Sequence, residues 1–298
     1  MKVANAIYDV VFKYLMEDKR IAKLLLSALL KMEIEELELQ PQEYTTDAKN
    51  KTLTIYRMDF KAKIRFPNDE KKIVLIELQK AKFPSDIMRF RKYLGEQYSL
   101  ESNVSEEING KKEAIPIITI YFLGYPLNKY TDRTIIRVKR KYFDDVTEEE
   151  LLDGPEPFIE NLTHDSIIIQ VGAIKNKKHR SRLEKVLSVF DSDTKHGIEI
   201  NEDEYPEEYK IILRRLIKAY VDEHVRKTMD IEDQILEDIA NAERKAQKAE
   251  EQAEKAEEKA EKIHKNLLET ARLLKSLNID IDTIAARTGL SKDEIIKL

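Results

Sequence analysis

The chain has 298 residues, with 52 Lys plus Arg against 57 Asp plus Glu, for a net charge of −5. Its 42% hydrophobic content is enough for a core, while 37% charged residues exceeds the ~25% of an ordinary soluble protein, so some part must be unusually charged. There is no cysteine, which excludes disulfides, zinc–cysteine sites and cysteine nucleophiles; the 7 glycines include no phosphate-cradling loop, and the 5 histidines form no H-E-x-x-H helix.

Residues 5–31 have helical spacing, with Ile7, Val10, Val11, Tyr14, Leu15, Ile21, Leu24, Leu25 and Leu29 recurring every three or four positions. Met1 to Asn5 do not form a signal peptide. The longest aliphatic stretch, Leu24–Leu30, is broken by Ser27 and falls far short of the ~20 residues of a membrane span. The expectation is a soluble, cytoplasmic protein with no membrane partner.

Residues 53–66 alternate as a strand does. Met58, Phe60, Ala62, Ile64 and Phe66 share one face, and Arg57, Asp59, Lys61, Lys63 and Arg65 the other. Pro67-Asn68-Asp69 supplies turn chemistry, and a second strand, Ile73–Gln79, completes a hairpin. A helix over 85–102, a buried strand at Ile115–Leu123 and an edge strand at Thr134–Phe143 follow. Another apolar run, Ile167–Val171, precedes helices over 178–190 and 206–228. The order predicts an α/β domain around one mixed sheet.

Strand signals end near residue 229. From Ala242 to Leu277 small and apolar residues recur at alternating spacings of four and three, a heptad stripe. Seven Glu balance seven Lys or Arg over 243–265. Both a lone charge-stabilised helix and a coiled-coil arm between subunits fit; the apolar end at Ile263, Leu267, Leu274 and Leu277 favours the arm, and with it a homo-oligomer. The last residues have a helix–turn–helix look, with Gly289 closing one helix and Ser291–Glu294 a capping box opening the next. So few cations there favour packing over DNA reading. The expected organisation is a domain over 1–228, a long charged helix over 229–278 and a helical hairpin over 279–298.

The chemistry lies in the first hairpin. A three-residue turn at 67–69 sets Asp59 opposite Glu77, about 5 Å apart at Cβ. Facing carboxylates repel and call for a cation. Oxygen ligands of this kind, completed by water and a phosphate, suit Mg²⁺ or Mn²⁺. A metal there would hold a scissile phosphate and activate water. Gln79, two residues beyond Glu77, shares its face and would orient the water or the phosphate.

This pattern resembles the PD-(D/E)XK nuclease core, and more closely the Rpn family of recombination-promoting nucleases, also called putative transposases. The matching segments are Asp9-Val10-Val11-Phe12-Lys13, Arg57-Met58-Asp59-Phe60 and Ile76-Glu77-Leu78-Gln79, then a helix with Arg89, Phe90, Arg91 and Tyr93. His164-Asp165-Ser166 and Leu187-Ser188-Val189-Phe190 match later ones, so the resemblance spans about 1–228. It implies a restriction-endonuclease-like mixed sheet flanked by helices, with a long C-terminal helix, acting as a Mg²⁺-dependent DNA endonuclease. Asp59 and Glu77 would bind metal, Gln79 and Lys13 would align phosphate and water, and Arg89 and Arg91 would grip the DNA backbone. Gln79 stands where the superfamily has lysine, as in the Rpn branch, so Lys13 is the candidate for a migrated cation. Asp9 is either a further metal ligand or a structural partner of Lys13. The alternative is a catalytically weak, nuclease-derived interaction protein acting through its coiled coil and tail. The basic run from Lys175 to Arg182 fits phosphate attraction or a solvated helix start equally, and His164 reads as a structural hydrogen-bonder.

Overall fold

A computed structural model describes residues 1–40, 60–67, 70–79, 86–101, 103–104, 114–152, 156–177 and 180–298. They divide into two compact units, Met1–Gln234 and Ile235–Leu298.

The first unit is α/β. Its mixed sheet has six strands: β2 (Glu36–Gln40), β3 (Phe60–Arg65), β4 (Lys71–Gln79), β5 (Ile117–Leu123), β6 (Ile135–Val138) and β7 (Asp165–Gln170). Their order across the sheet is β2-β3-β4-β5-β7-β6. β4, β5 and β7 run parallel to one another, and the outer pairings are antiparallel. A separate pair joins β1 (Lys2–Ala4) to β8 (Gly197–Glu199).

Both faces of the sheet are covered. Ala62, Ile64, Val74, Ile76, Ile120, Phe122, Ile167 and Ile169 pack on α1 (Asp9–Met16), α2 (Lys19–Leu30) and α7 (Lys210–Val221). Phe12 of α1 lies 5.9 Å from Phe122, centroid to centroid. On the other face, Ile73, Leu75 and Ile117 meet Phe90 and Leu94 of α3 (Asp86–Ser99). Short helices α4 (Pro157–Leu162), α5 (Val171–Lys175) and α6 (Arg182–Leu187) fill the connections.

The expected single helix over 5–31 is two helices. Asp18 is extended, and its side chain accepts the N–H of Arg20, so it caps α2 instead of continuing α1. A similar break separates α7 from α8 (Glu223–Ser276): extended Asp222 accepts the N–H of Val225 at 3.0 Å. The long helix therefore begins before the change in composition, because its first turns still pack on the first unit through buried Val225 and Met229.

In the second unit, Ala271, Ile284, Leu290 and Ile295 form a small core between the end of α8, α9 (Ile281–Thr288) and α10 (Lys292–Lys297). Gly289 takes the left-handed conformation (φ 71°) that ends α9. Ser291 and Glu294 make the capping box that opens α10. Leu267 and Leu274, from the apolar end of the heptad stripe, are partly buried against this tail of their own chain. Ile263 and Leu277 stay exposed, at 60% and 64%.

Candidate active site

The hairpin of β3 and β4 has the register that the turn demands. Phe60 faces Ile76, Ala62 faces Val74, and Arg65 faces Lys71. Asp59 lies outside the described residues. Glu77 and Gln79 occupy the carboxyl end of β4, where their backbone partners are Tyr121 and Leu123 of parallel β5. In open α/β sheets, sites form beyond the carboxyl ends of parallel strands. α3 crosses over this end: the Phe90 ring lies 4.6 Å from that of Tyr121. Arg89 is in α3, and Arg91, next to Phe90 in the same helix, is exposed to solvent.

The other predicted residues sit on the opposite face. Asp9 opens α1 and is half-buried, and Lys13 is exposed on the same helix. The backbone N–H groups of Asp9 and Val10 each donate to the Glu232 carboxylate, at 3.0 Å. α1 packs through Phe12 on the Phe122 side of the sheet, whereas α3 packs on the Tyr121 side.

A lysine on the polar face of the first hairpin strand is buried. Lys61 of β3 is 2% exposed, and its Nζ donates to Asn103 Oδ1 at 2.7 Å. Asn103 in turn donates to Gln97 O at 2.7 Å and Gln97 Oε1 at 3.2 Å. Burial pushes the Lys61 pKa down, neighbouring Lys63 pushes it further, and Glu38 opposes them. Period-2 alternation put Lys61 on the face of Asp59. What it could not show is that α3 and Asn103 cover that face.

Other candidates are tied into structural bonds. Lys175 pairs with Asp191 at 3.1 Å, Lys177 with Glu184 at 2.6 Å and Arg182 with Glu208 at 2.5 Å. Arg180 donates to the carbonyls of Ile174 and Lys175. The described part of the basic run therefore braces its own surroundings. Tyr98 Oη lies 3.0 Å from His164 Nδ1; burial lowers the His164 pKa, Arg140 adds to this, and Asp165 opposes it. Among the described residues no group of three or more His, Asp or Glu is placed to hold a metal. No described helix is long and apolar enough to cross a membrane. Comparison with protein-family models, curated proteins and solved structures found no match to the chain.

Proposed function

We propose that the first unit is a metal-dependent DNA endonuclease of the Rpn type, within the PD-(D/E)XK superfamily. The observation that carries this reading is the β3–β4 register. Phe60 pairs with Ile76, the register in which the sequence reading sets Asp59, outside the described residues, opposite Glu77. The parallel partner β5 and the flanking helices give a mixed sheet of the kind the resemblance implies.

In this reading Asp59 and Glu77 hold Mg²⁺ or Mn²⁺, and Asp9, on the helix that packs on the opposite face of the sheet, stands outside the metal's ligand set. The metal, when bound, supplies Lewis-acid stabilisation of the phosphate and a lower pKa for the attacking water. Gln79 orients that water through its amide. Positive charge comes from Lys61, buried on the first strand of the hairpin, whereas Lys13 lies on the helix of the opposite face. Arg89 and Arg91 hold the DNA backbone, which makes binding steeply salt-dependent, by ~10³-fold between 50 and 200 mM salt for about six phosphate contacts.

The alternative, an interaction protein, draws on α8. Residues 244–266 are exposed throughout, and a helix face of that length suits association through the C-terminal helix, with a second copy of the chain as partner. Plasmid cleavage with Mg²⁺ decides between the readings. Asp59→Ala and Glu77→Gln should each cut at least a hundredfold more slowly while folding is intact, since the metal contributes several kcal/mol to the reaction. Wild-type cleavage by Glu77→Gln would remove the site, and no cleavage by the natural chain would favour the interaction reading.

A further inference from the structure

The loop between β5 and β6 crosses the carboxyl end of β7, because β7 lies between those two strands in the sheet. Gln170, the last residue of β7, meets the loop there and is 1% exposed. Its Oε1 accepts the N–H of Leu127 at 2.6 Å. Its Nε2 donates to the carbonyls of Tyr130 at 2.6 Å and Arg133 at 2.5 Å. Between these points the loop closes on itself, with Tyr130 N–H on Leu127 O and Arg133 N–H on Tyr130 O. Its far end is pinned by Thr134, whose hydroxyl donates to Glu184 Oε1 and whose carbonyl accepts the N–H of Gln170. A buried amide whose donors and acceptor all go to one loop fixes the backbone of that loop.

The side chains of the loop are left in water. Residues 128–133 are all exposed, among them the Tyr130 ring at 53%. Loops held in place by a rigid scaffold, with side chains turned outward, are where binding residues concentrate. The backbone register sets Gln79 beside Leu123 and Leu123 beside Gln170, so this loop rises from the same end of the sheet as the candidate site. Two strand spacings of ~4.8 Å separate Gln170 from Gln79 by about 10 Å across the sheet. That span covers on the order of three phosphates along one strand of a duplex.

We propose that the loop over 127–133 is a second DNA contact of the candidate site, about three phosphates from the scissile bond, with Gln170 as its positioning residue. The proposal rests on the nuclease reading of the strand that carries Glu77. Lys129 and Arg133 offer cations to phosphate oxygens, and Tyr130 between them offers a ring to a sugar or base. Arg133 Nε lies 3.6 Å from Asp132 Oδ2, but the two side chains are 68% and 75% exposed. So exposed a pair is weak, and it leaves the other guanidinium N–H groups for phosphate.

Anisotropy of a fluorescein-labelled duplex, with Ca²⁺ in place of Mg²⁺, tests the loop in the full chain. Lys129→Ala with Arg133→Ala should weaken binding about tenfold and lower the salt slope by about two. Gln170→Met has a similar length and no hydrogen bonds to make, so it should raise KM for plasmid about fivefold or more and leave kcat within about twofold. Wild-type affinity and salt slope in the double variant overturn the proposal, as does a Gln170→Met chain that loses kcat at unchanged KM. The double variant alters only exposed side chains, so it decides the matter even where Gln170→Met fails to fold. Cleavage by Glu77→Gln separates the loop from the reading it rests on. If Glu77→Gln abolishes cleavage and the double variant binds as the wild type does, the nuclease reading stands and the loop falls. If Glu77→Gln cleaves normally and the double variant loses affinity, the DNA contact stands and the hairpin site falls. No DNA binding by the natural chain overturns both.

Discussion

Glu232 caps a helix more than two hundred residues before it in the chain: its two carboxylate oxygens take the N–H groups of Asp9 and Val10, each at 3.0 Å. Tyr8, one residue before, donates to Asp233 Oδ2 at 2.8 Å, and His196 Nε2 lies 3.1 Å from Asp230. The first turns of the long helix thus hold the start of the helix that carries Asp9 and Lys13. A charged cap at a helix N-terminus contributes about 1–2 kcal/mol. Glu232→Ala should lower unfolding free energy by that amount, with Glu232→Gln losing less, as read by denaturant titration.

Lys61 can be separated from a merely structural role. Lys61→Met keeps the volume but leaves the buried Asn103 Oδ1 without its donor, so stability should fall by about 1–3 kcal/mol. If Lys61 supplies charge to the site, cleavage should fall at least tenfold in that variant under conditions where it stays folded. Unchanged cleavage would leave Lys61 as a tether for Asn103 and nothing more.

Glu184 sets an acid limit. Burial raises its pKa, but hydrogen bonds from Lys177, Thr134 and Ser181 outweigh that and hold it at about 2. Because the folded value lies below the unfolded one, the stabilisation is fully present above pH ~4.5 and is lost as pH falls toward 2. The side chain is 4% exposed, so the effect is on the order of 2–3 kcal/mol. Glu184→Gln should be destabilised by this amount at pH 7, and the gap should narrow below pH ~4.5 and close only as the pH reaches about 2 in unfolding measurements.

The tail has one keystone. Ile284 is fully buried in the small C-terminal core. Ile284→Ala should cost about 2–4 kcal/mol. Hydrogen exchange should then quicken in 267–298 and stay unchanged in the sheet of the first unit.

The hairpin register was legible because turn length and alternation are local. Its neighbours were not. β1 and β8 are three-residue strands whose pairing joins Lys2 to Glu199, and no local pattern announces that. Asp18 and Asp222 cut helices that apolar spacing alone would continue, since capping competes with periodicity at single residues. Of the candidate site, strand and helix positions were readable, but the burial of Lys61 depends on α3 and the turn near Asn103. The heptad stripe was correctly read as helix. Which of its leucines are covered depended on where the last eighteen residues fold.

Pairing the first strand with one near residue 198 also sets a timetable for synthesis. The N-terminal nitrogen of Met1 bonds to Ile200 O across 199 residues, and Asn5 bonds to the carbonyls of Asp191 and Thr194. At ~5–20 residues per second, a nascent chain holds Lys2–Ala4 unpaired for roughly 10–40 s before Gly197–Glu199 is made. The α1 cap at Glu232 comes later still. Until then the side of α1 that α7 covers faces solvent or whatever chaperone waits at the exit tunnel. The first unit therefore closes late, and ribosome pausing upstream of residue 200 would prolong its most aggregation-prone state.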